Sequence, residues 1–242
     1  MKIGIAQIRT VKGDITSNLE KHEGLIQAAL SLKANAIFFP ELSLTGYEPE
    51  LANELATNPD DQRMDRFQIL SDSHHITIGL GLPTKTDTGV RISMIIFQPD
   101  RPRLIYSKQQ LHADELPYFE KGDTQITVTV ENERITPAIC YESLQPNHTE
   151  TAFKLGTDNY LASVAKSLRG AHQGFIHYPL VARKYDIPVL MSNCVGYCDN
   201  FESVGLSSVW TKQGQLVGQM DDKSEGVLVF DTKTEKIAKL LI

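Results

Sequence analysis

The sequence predicts an α/β layered fold. Two observations carry that prediction: the chain opens with a β-α-β unit, and its second half alternates helix and strand. Strands joined by long crossovers need helices on the outer faces of their sheet, so layers of helix and strand are expected. The 242 residues suit one large domain with a substantial core, spanning 1–242.

In order, residues 2–8 alternate like a first strand. Ser17 and Glu20 have capping-box spacing, and a helix follows to about residue 33 with Leu19, Leu25, Ile26, Ala29, Leu30 and Leu32 on one broad face. Ala34-Asn35 breaks it, and 36–40 is the second strand. Residues 42–59 read as a loop with at most one helical turn, and the acidic Glu48, Glu50 and Glu54 as a solvated face. A helix over 61–73 leads to a strand over 76–82. Turns at Asp87-Thr88-Gly89 and Pro99-Asp100-Arg101-Pro102 bracket a strand over 90–98. A short strand over 104–107 follows, then an irregular stretch over 109–122. Strands over 125–130 and 134–140 meet at Glu131-Asn132. Beyond them come a helix over 148–155 stopped by Gly156, a strand over 160–164, a helix over 170–185 and a strand over 188–193. The tail from 204 to 230 reads as strands separated by Gln213-Gly214 and Glu225-Gly226.

Composition excludes several classes. A net charge of -6 argues against a nucleic-acid-binding surface. No apolar run approaches the ~20 residues that cross a bilayer, and the N-terminal stretch lacks a signal core, so no membrane partner is expected. Three cysteines cannot all pair. A cytoplasmic, reduced protein is the expectation.

Three apolar runs each hand over one reactive group. Residues 36–40 end on Glu41, residues 103–107 on Lys108, and the run Ile135-Thr136-Pro137-Ala138-Ile139 on Cys140. A thiol, a lysine and two carboxylates, the second being Glu115, suit covalent attack on a carbonyl or nitrile carbon. An unperturbed thiol at ~8.5 lies ~4 units above a glutamate at ~4.3, so direct proton transfer costs ~6 kcal/mol. Burial raises the glutamate and a neighbouring lysine lowers the thiol, which brings the two values together. In this scheme Cys140 is the nucleophile and Glu41 the general base, then acid. Lys108 and the N–H of Tyr141 meet the oxyanion, and Glu115 holds the lysine or the substrate nitrogen. No metal or organic cofactor enters.

The neighbours of these residues resemble the nitrilase superfamily of carbon–nitrogen hydrolases over nearly the whole chain. The segments are Ile3-Gly4-Ile5-Ala6-Gln7, Phe39-Pro40-Glu41 through Gly46-Tyr47, Tyr106-Ser107-Lys108 through Glu115 to Phe119, and Ile139-Cys140-Tyr141-Glu142. Ala182-Arg183-Lys184-Tyr185, Asn193, Gly196, Gly205, Ser207 and Gly214 look like the family's C-terminal signatures. The resemblance implies a four-layer α-β-β-α sandwich and a Glu41–Lys108–Glu115–Cys140 active site. It also implies a homodimer or higher homo-oligomer, and hydrolysis of a non-peptide C–N bond in a small amide, N-carbamoyl compound or nitrile. Many members follow the cysteine with an arginine, an aromatic and Pro-Glu, where this chain has Ser143-Leu144-Gln145-Pro146-Asn147. Nitrilases proper tend to carry Trp after the cysteine, and Tyr141 tilts the reading toward an amidase or carbamoyl hydrolase.

Other candidates have blander readings. Tyr47 and Asn193 are substrate-contact candidates. Glu142 suits an ion pair with an Arg or Lys, or a place beside the nucleophile. His112 suits loop packing, or a position behind the site or against the substrate. Cys194 and Cys198 lack further ligands for a metal. Two competing functions stand beside the amidase: a catalytically silent small-molecule binder on the same scaffold, and a Cys–His hydrolase using His112, His148 or His172. Acyl transfer in place of hydrolysis is a further variant.

Overall fold

The computed structural model describes residues 1–242. In chain order, β1 (Lys2–Gln7), α1 (Ile15–Ser31) and β2 (Ala36–Phe38) form the opening β-α-β unit. One turn of helix, α2 (Ala52–Leu55), and α3 (Asp65–His74) precede β3 (Thr77–Lys85), β4 (Val90–Phe97) and β5 (Leu104–Ser107). The second half runs β6 (Val128–Val130), β7 (Glu133–Ile139), α4 (Pro146–Lys154), β8 (Asn159–Val164), α5 (Leu168–Tyr185) and β9 (Val189–Asn193). A small hairpin follows, β10 (Val195–Cys198) with β11 (Phe201–Val204). Last come β12 (Ser208–Trp210), β13 (Leu216–Gln219), β14 (Gly226–Asp231) and β15 (Ile237–Leu241).

Two mixed sheets result. One has the order β15-β14-β1-β2-β3-β4-β5, the other β13-β12-β9-β8-β7-β6. The parallel centres, β1-β2-β3 and β7-β8-β9, are the parts joined by helices. Period-two alternation assigns each side chain to a layer. On β1, Ile3 and Ile5 face the second sheet, while Ala6 faces α1. On β8 and β9, Leu161 and Leu190 face the first sheet, whereas Tyr160, Ala162, Val189 and Met191 pack under α4 and α5. Leu25, Ile26 and Phe67 of α1 and α3 close the outer face of the first sheet. The result is the α-β-β-α sandwich. Each fully buried Ile or Phe contributes about 1.5–3 kcal/mol against an exposed one.

Three features differ from expectation. The first helix is capped by Asp14, whose carboxylate accepts from the Ser17 N–H at 3.0 Å, so it begins at Ile15 and not after Ser17. Aspartate is as good a cap as serine, and Ser17 sits where a capped N–H belongs. The strand expected from 125 is confined to Val128–Val130, since Gln125 turns its amide to the His148 carbonyl at 3.0 Å. Glu48 is not solvated: it is buried, with a 2.6 Å ion pair to Lys12. No helix is long and apolar enough to cross a membrane.

Candidate active site

The inner strands of both sheets stop at the same end of the sandwich, and serines tie those ends together. Ser163 on β8 donates to the Phe39 carbonyl at 2.7 Å, and Ser192 on β9 to the Ala6 carbonyl at 2.7 Å. These bonds satisfy carbonyls that the strand ends leave unpaired. They also place the turn after β2 against the turn after β7.

Glu41 lies in that first turn. A side chain at Gly81 would put its Cβ 2.4 Å from the Pro40 carbonyl oxygen and 2.6 Å from the Leu42 nitrogen, so glycine alone lets the Glu41 backbone cross β3. Buried His22 fixes the turn from behind through a 2.9 Å contact with the Ser43 hydroxyl. Lys108 follows β5 immediately. Its own N–H donates to Ile92, and its carbonyl accepts from Gly122 at 2.7 Å. Gly122 is needed there because a Cβ would meet the Ser107 carbonyl oxygen at 2.1 Å.

Lys108 is fully buried and clasped by two carboxylates, donating to Glu41 Oε1 at 2.7 Å and Glu115 Oε1 at 2.6 Å. Glu115 is saturated: Oε1 also accepts from the Tyr47 hydroxyl at 3.0 Å, and Oε2 from the His112 backbone N–H at 2.8 Å. Glu41 is not. Its Oε2 is buried without a donor in hydrogen-bonding geometry, and the Cys140 thiol is the neighbour able to supply one.

Cys140 begins the 3-10 turn Cys140–Leu144 with φ of 47°. A non-glycine residue in this left-handed region carries strain of order 1–3 kcal/mol. At this φ the chain leaves the strand, and Cys140 lies on the wall of a cavity. The sulfur lies 3.7 Å from the Ala165 carbonyl oxygen. The cavity has a volume of about 510 Å³, and Tyr47, His112, Glu115, Cys140, Tyr141, Lys166 and Phe201 are among its walls.

Burial pushes the Glu41 carboxyl up to about 7, with Lys108 opposing and Glu115 adding to the rise. Burial would lower the Lys108 amine, yet Glu41 and Glu115 more than reverse it, so the ammonium is held well above its ordinary value. The thiol corrects an expectation. Burial, then the charge of Glu41, push Cys140 up to about 12, and Lys166 and Lys108 only partly offset them. The two lysines do pull the thiol downward, but desolvation of the thiolate outweighs them.

The structure therefore brings Glu41, Lys108, Glu115 and Cys140 into one constellation, with Tyr47, Tyr141 and His112 on the cavity wall. The His112 ring pairs with Asp114 and stands edge-on to Tyr141 with centroids 5.4 Å apart. Two candidates lie elsewhere. Glu142 is buried behind the turn that begins at Cys140 and pairs with no Arg or Lys. It accepts instead from Tyr106 and from the backbone N–H groups of Ile139, Gln109 and Gln110, which offset only part of the burial that holds its carboxyl above the ordinary value. Asn193 does not reach the cavity, because its amide accepts from the Lys166 N–H at 2.8 Å and donates to the Gly205 carbonyl at 2.7 Å. His148 is likewise spent on Tyr106 and Tyr160, at 2.8 Å each. Cys194 packs against Cys198 with sulfurs 3.4 Å apart, away from the cavity wall. Sequence reading missed Lys166. Its signal was the one already used elsewhere, an apolar strand (Asn159–Val164) ending near a charged residue.

A model of the carbon–nitrogen hydrolase family matches residues 2–240. The chain belongs to that family, within the nitrilase superfamily. Among solved structures, an amidase from Nesterenkonia sp. AN1 superposes with a TM-score of 0.87 at 22% identity, covering 96% of this chain and 92% of that one. A second structure of that amidase, with acrylamide added at its active-site cysteine, also reaches 0.87 at 21% identity. Curated relatives include the glutamine-dependent NAD(+) synthetases of Aquifex aeolicus, 25% identical over 94% of this chain, and Thermotoga maritima, 24% identical over 96%. The chain spans 41% and 42% of those two proteins' lengths. Carbon–nitrogen bond hydrolysis is the activity for which that family is named.

Proposed function

We propose that this family member is an amidohydrolase that cleaves a small amide or N-carbamoyl compound through a thioester on Cys140. The observation that carries the reading is the buried clasp of Lys108 between Glu41 and Glu115, with the free oxygen of Glu41 turned to a strained cysteine at the cavity wall.

The proton inventory fits. Part of what holds the thiol proton on is the negative charge of Glu41 itself. When Glu41 takes that proton the repulsion disappears, and the new thiolate faces two ammonium groups. Transfer between the pair is thus easier than loss to water. The sulfur adds to the carbonyl carbon, forming an oxyanion that Lys108 Nζ and the Tyr141 N–H can meet. The first N–H groups of a turn have no partner inside it, which leaves that of Tyr141 for the substrate. Glu41 returns the proton to the leaving amine as the C–N bond breaks. Water then adds to the thioester, giving its proton to Glu41, and collapse releases the acid and regenerates the thiol. Glu115 acts on Lys108, keeping the ammonium aimed and charged.

A Cys–His route is less well supported, since the His148 ring is committed elsewhere and the His112 ring to Asp114. The reading extends to a cytoplasmic homodimer. Leu168, Ile176 and Leu180 form an exposed apolar row along α5, with Phe153 of α4 also exposed, a face that a second copy would cover.

The test is ammonia or amine release across a panel of amides and carbamoyl amines, with mass spectrometry of the protein during turnover. The expected result is an acyl adduct on Cys140 and no turnover by Cys140→Ala. Undiminished turnover by Cys140→Ala would overturn the reading, as would binding without turnover by the wild type.

A further inference from the structure

The cavity contains a second buried lysine, which in the scheme above only faces the thiolate and makes no contact with the substrate. Lys166 is only 5% exposed, yet its ammonium has no hydrogen-bond acceptor and no ion-pair partner. Its position is well fixed. The backbone N–H donates to Asn193, and the carbonyl accepts from Asn193 and from the Ser203 hydroxyl at 3.0 Å. The stem lies over Gly170, where an added Cβ would stand 3.3 Å from Lys166 Cβ and 3.4 Å from Cγ. The side chain therefore runs along the first turn of α5, and the cavity is where its charged end emerges.

The location gives the ammonium no contact partner of opposite charge, only groups beyond ion-pair distance. A helix N-terminus carries partial positive charge and favours anions. The first turn of the 18-residue α5 holds no acidic residue, and it includes Arg169. A buried ammonium at a positive helix end costs stability unless an anion joins it. Glu115 cannot be that anion, because both its oxygens are taken, and Glu41 already holds Lys108. The missing counter-charge is one that a ligand would bring.

We propose that Lys166, with the N-terminus of α5, binds a carboxylate on the acyl half of the substrate, so that the preferred substrates are amides whose short acyl chain ends in a carboxylate. The assignment to the acyl half rests on the mechanism proposed above. The leaving nitrogen must face Glu41 to receive its proton, so the acyl chain extends toward the other walls. Lys166 is on one of them, a single residue beyond the Ala165 carbonyl that touches the sulfur. Ser167 and Gln173 of the same wall offer further donors.

The experiment compares succinamate and glutaramate with their neutral counterparts butyramide and valeramide, in the wild type, Lys166→Met and Lys166→Arg. A charge-assisted contact in a desolvated site is lost at a cost of about 100-fold or more when its partner is truncated. The wild type should prefer the carboxylate-bearing amides. In Lys166→Met that preference ratio should fall by about 100-fold, chiefly through KM, and Lys166→Arg should restore part of it. No preference in the wild type, or a ratio unchanged in Lys166→Met while both rates fall, overturns the inference. The two readings fail separately. Should no amide be turned over, calorimetry of succinamate and butyramide binding to Cys140→Ala, with and without Lys166→Met, still decides it. Selective succinamate binding lost with the lysine supports the anion site, and equal binding of the two refutes it.

Discussion

The two buried lysines of one cavity have opposite surroundings. Lys108 lies between two carboxylates and is part of a closed set of charges, whereas Lys166 has none. Burial drives both amines toward the neutral form, and in both the nearby acidic groups prevail. For Lys108 those groups are in contact. For Lys166 they are Cys140, Tyr178 and Glu41, none of them within ion-pair distance. The comparison teaches that one wall of the cavity is complete before substrate arrives and the other is not. In the proposed mechanism the paired lysine positions the carboxylate whose one free oxygen moves the proton, and the unpaired lysine selects the ligand.

The comparison breaks most severely at the sulfur where the two walls meet. Cys140→Ala should lower kcat/KM by at least about 10⁴-fold, and ammonia release measures it. Next comes the clasp. Lys108→Met strands two buried carboxylates and should cost about 3–5 kcal/mol in urea denaturation, with loss of turnover. Lys166→Met strands nothing, and the same denaturation should move by less than about 1 kcal/mol. Equal destabilisation by the two would erase the distinction between the walls.

Glu41→Gln keeps the shape of the clasp and removes the proposed base, so kcat/KM should fall about 10²–10⁴-fold. The pH profile sharpens this prediction. A base works in its ionised form, and Glu41 ionises as pH rises through about 7, so wild-type kcat/KM should climb through that range. Glu41→Gln should lose that limb. Tyr47→Phe removes one of the three donors to Glu115, and a hydrogen bond to a charged group is worth about 1.5–3 kcal/mol, or about 10–100-fold in kcat/KM. His112→Ala should have the smallest effect, no more than a few-fold, because the backbone N–H of residue 112 holds Glu115 and the ring does not. A loss as large as that of Glu41→Gln would return the Cys–His route to consideration.

Much of the site was legible before any coordinates, for a local reason. A period-two apolar run that stops on a polar residue marks a strand end, and strand ends of parallel sheets face one edge. That pattern picked out Glu41, Lys108 and Cys140 from separate parts of the chain. It applied equally to Lys166 after β8, which was passed over because no motif drew attention to it. Glu142 and Asn193 were legible as residues near the site but not in orientation. One turns back to receive backbone N–H groups, the other bridges two loops.

By itself the sequence determined the layered fold, the order of its strands and helices, and the identity of the groups at the strand ends. These follow from periodicity, caps and turns, which are properties of neighbours along the chain. Only the tertiary structure decided that burial raises the thiol instead of lowering it, that Glu41 keeps one oxygen free, and that one lysine is paired while another is not. Desolvation and charge depend on what lies nearby in space, and residues there, such as Glu41 and Lys166, are far apart in the chain.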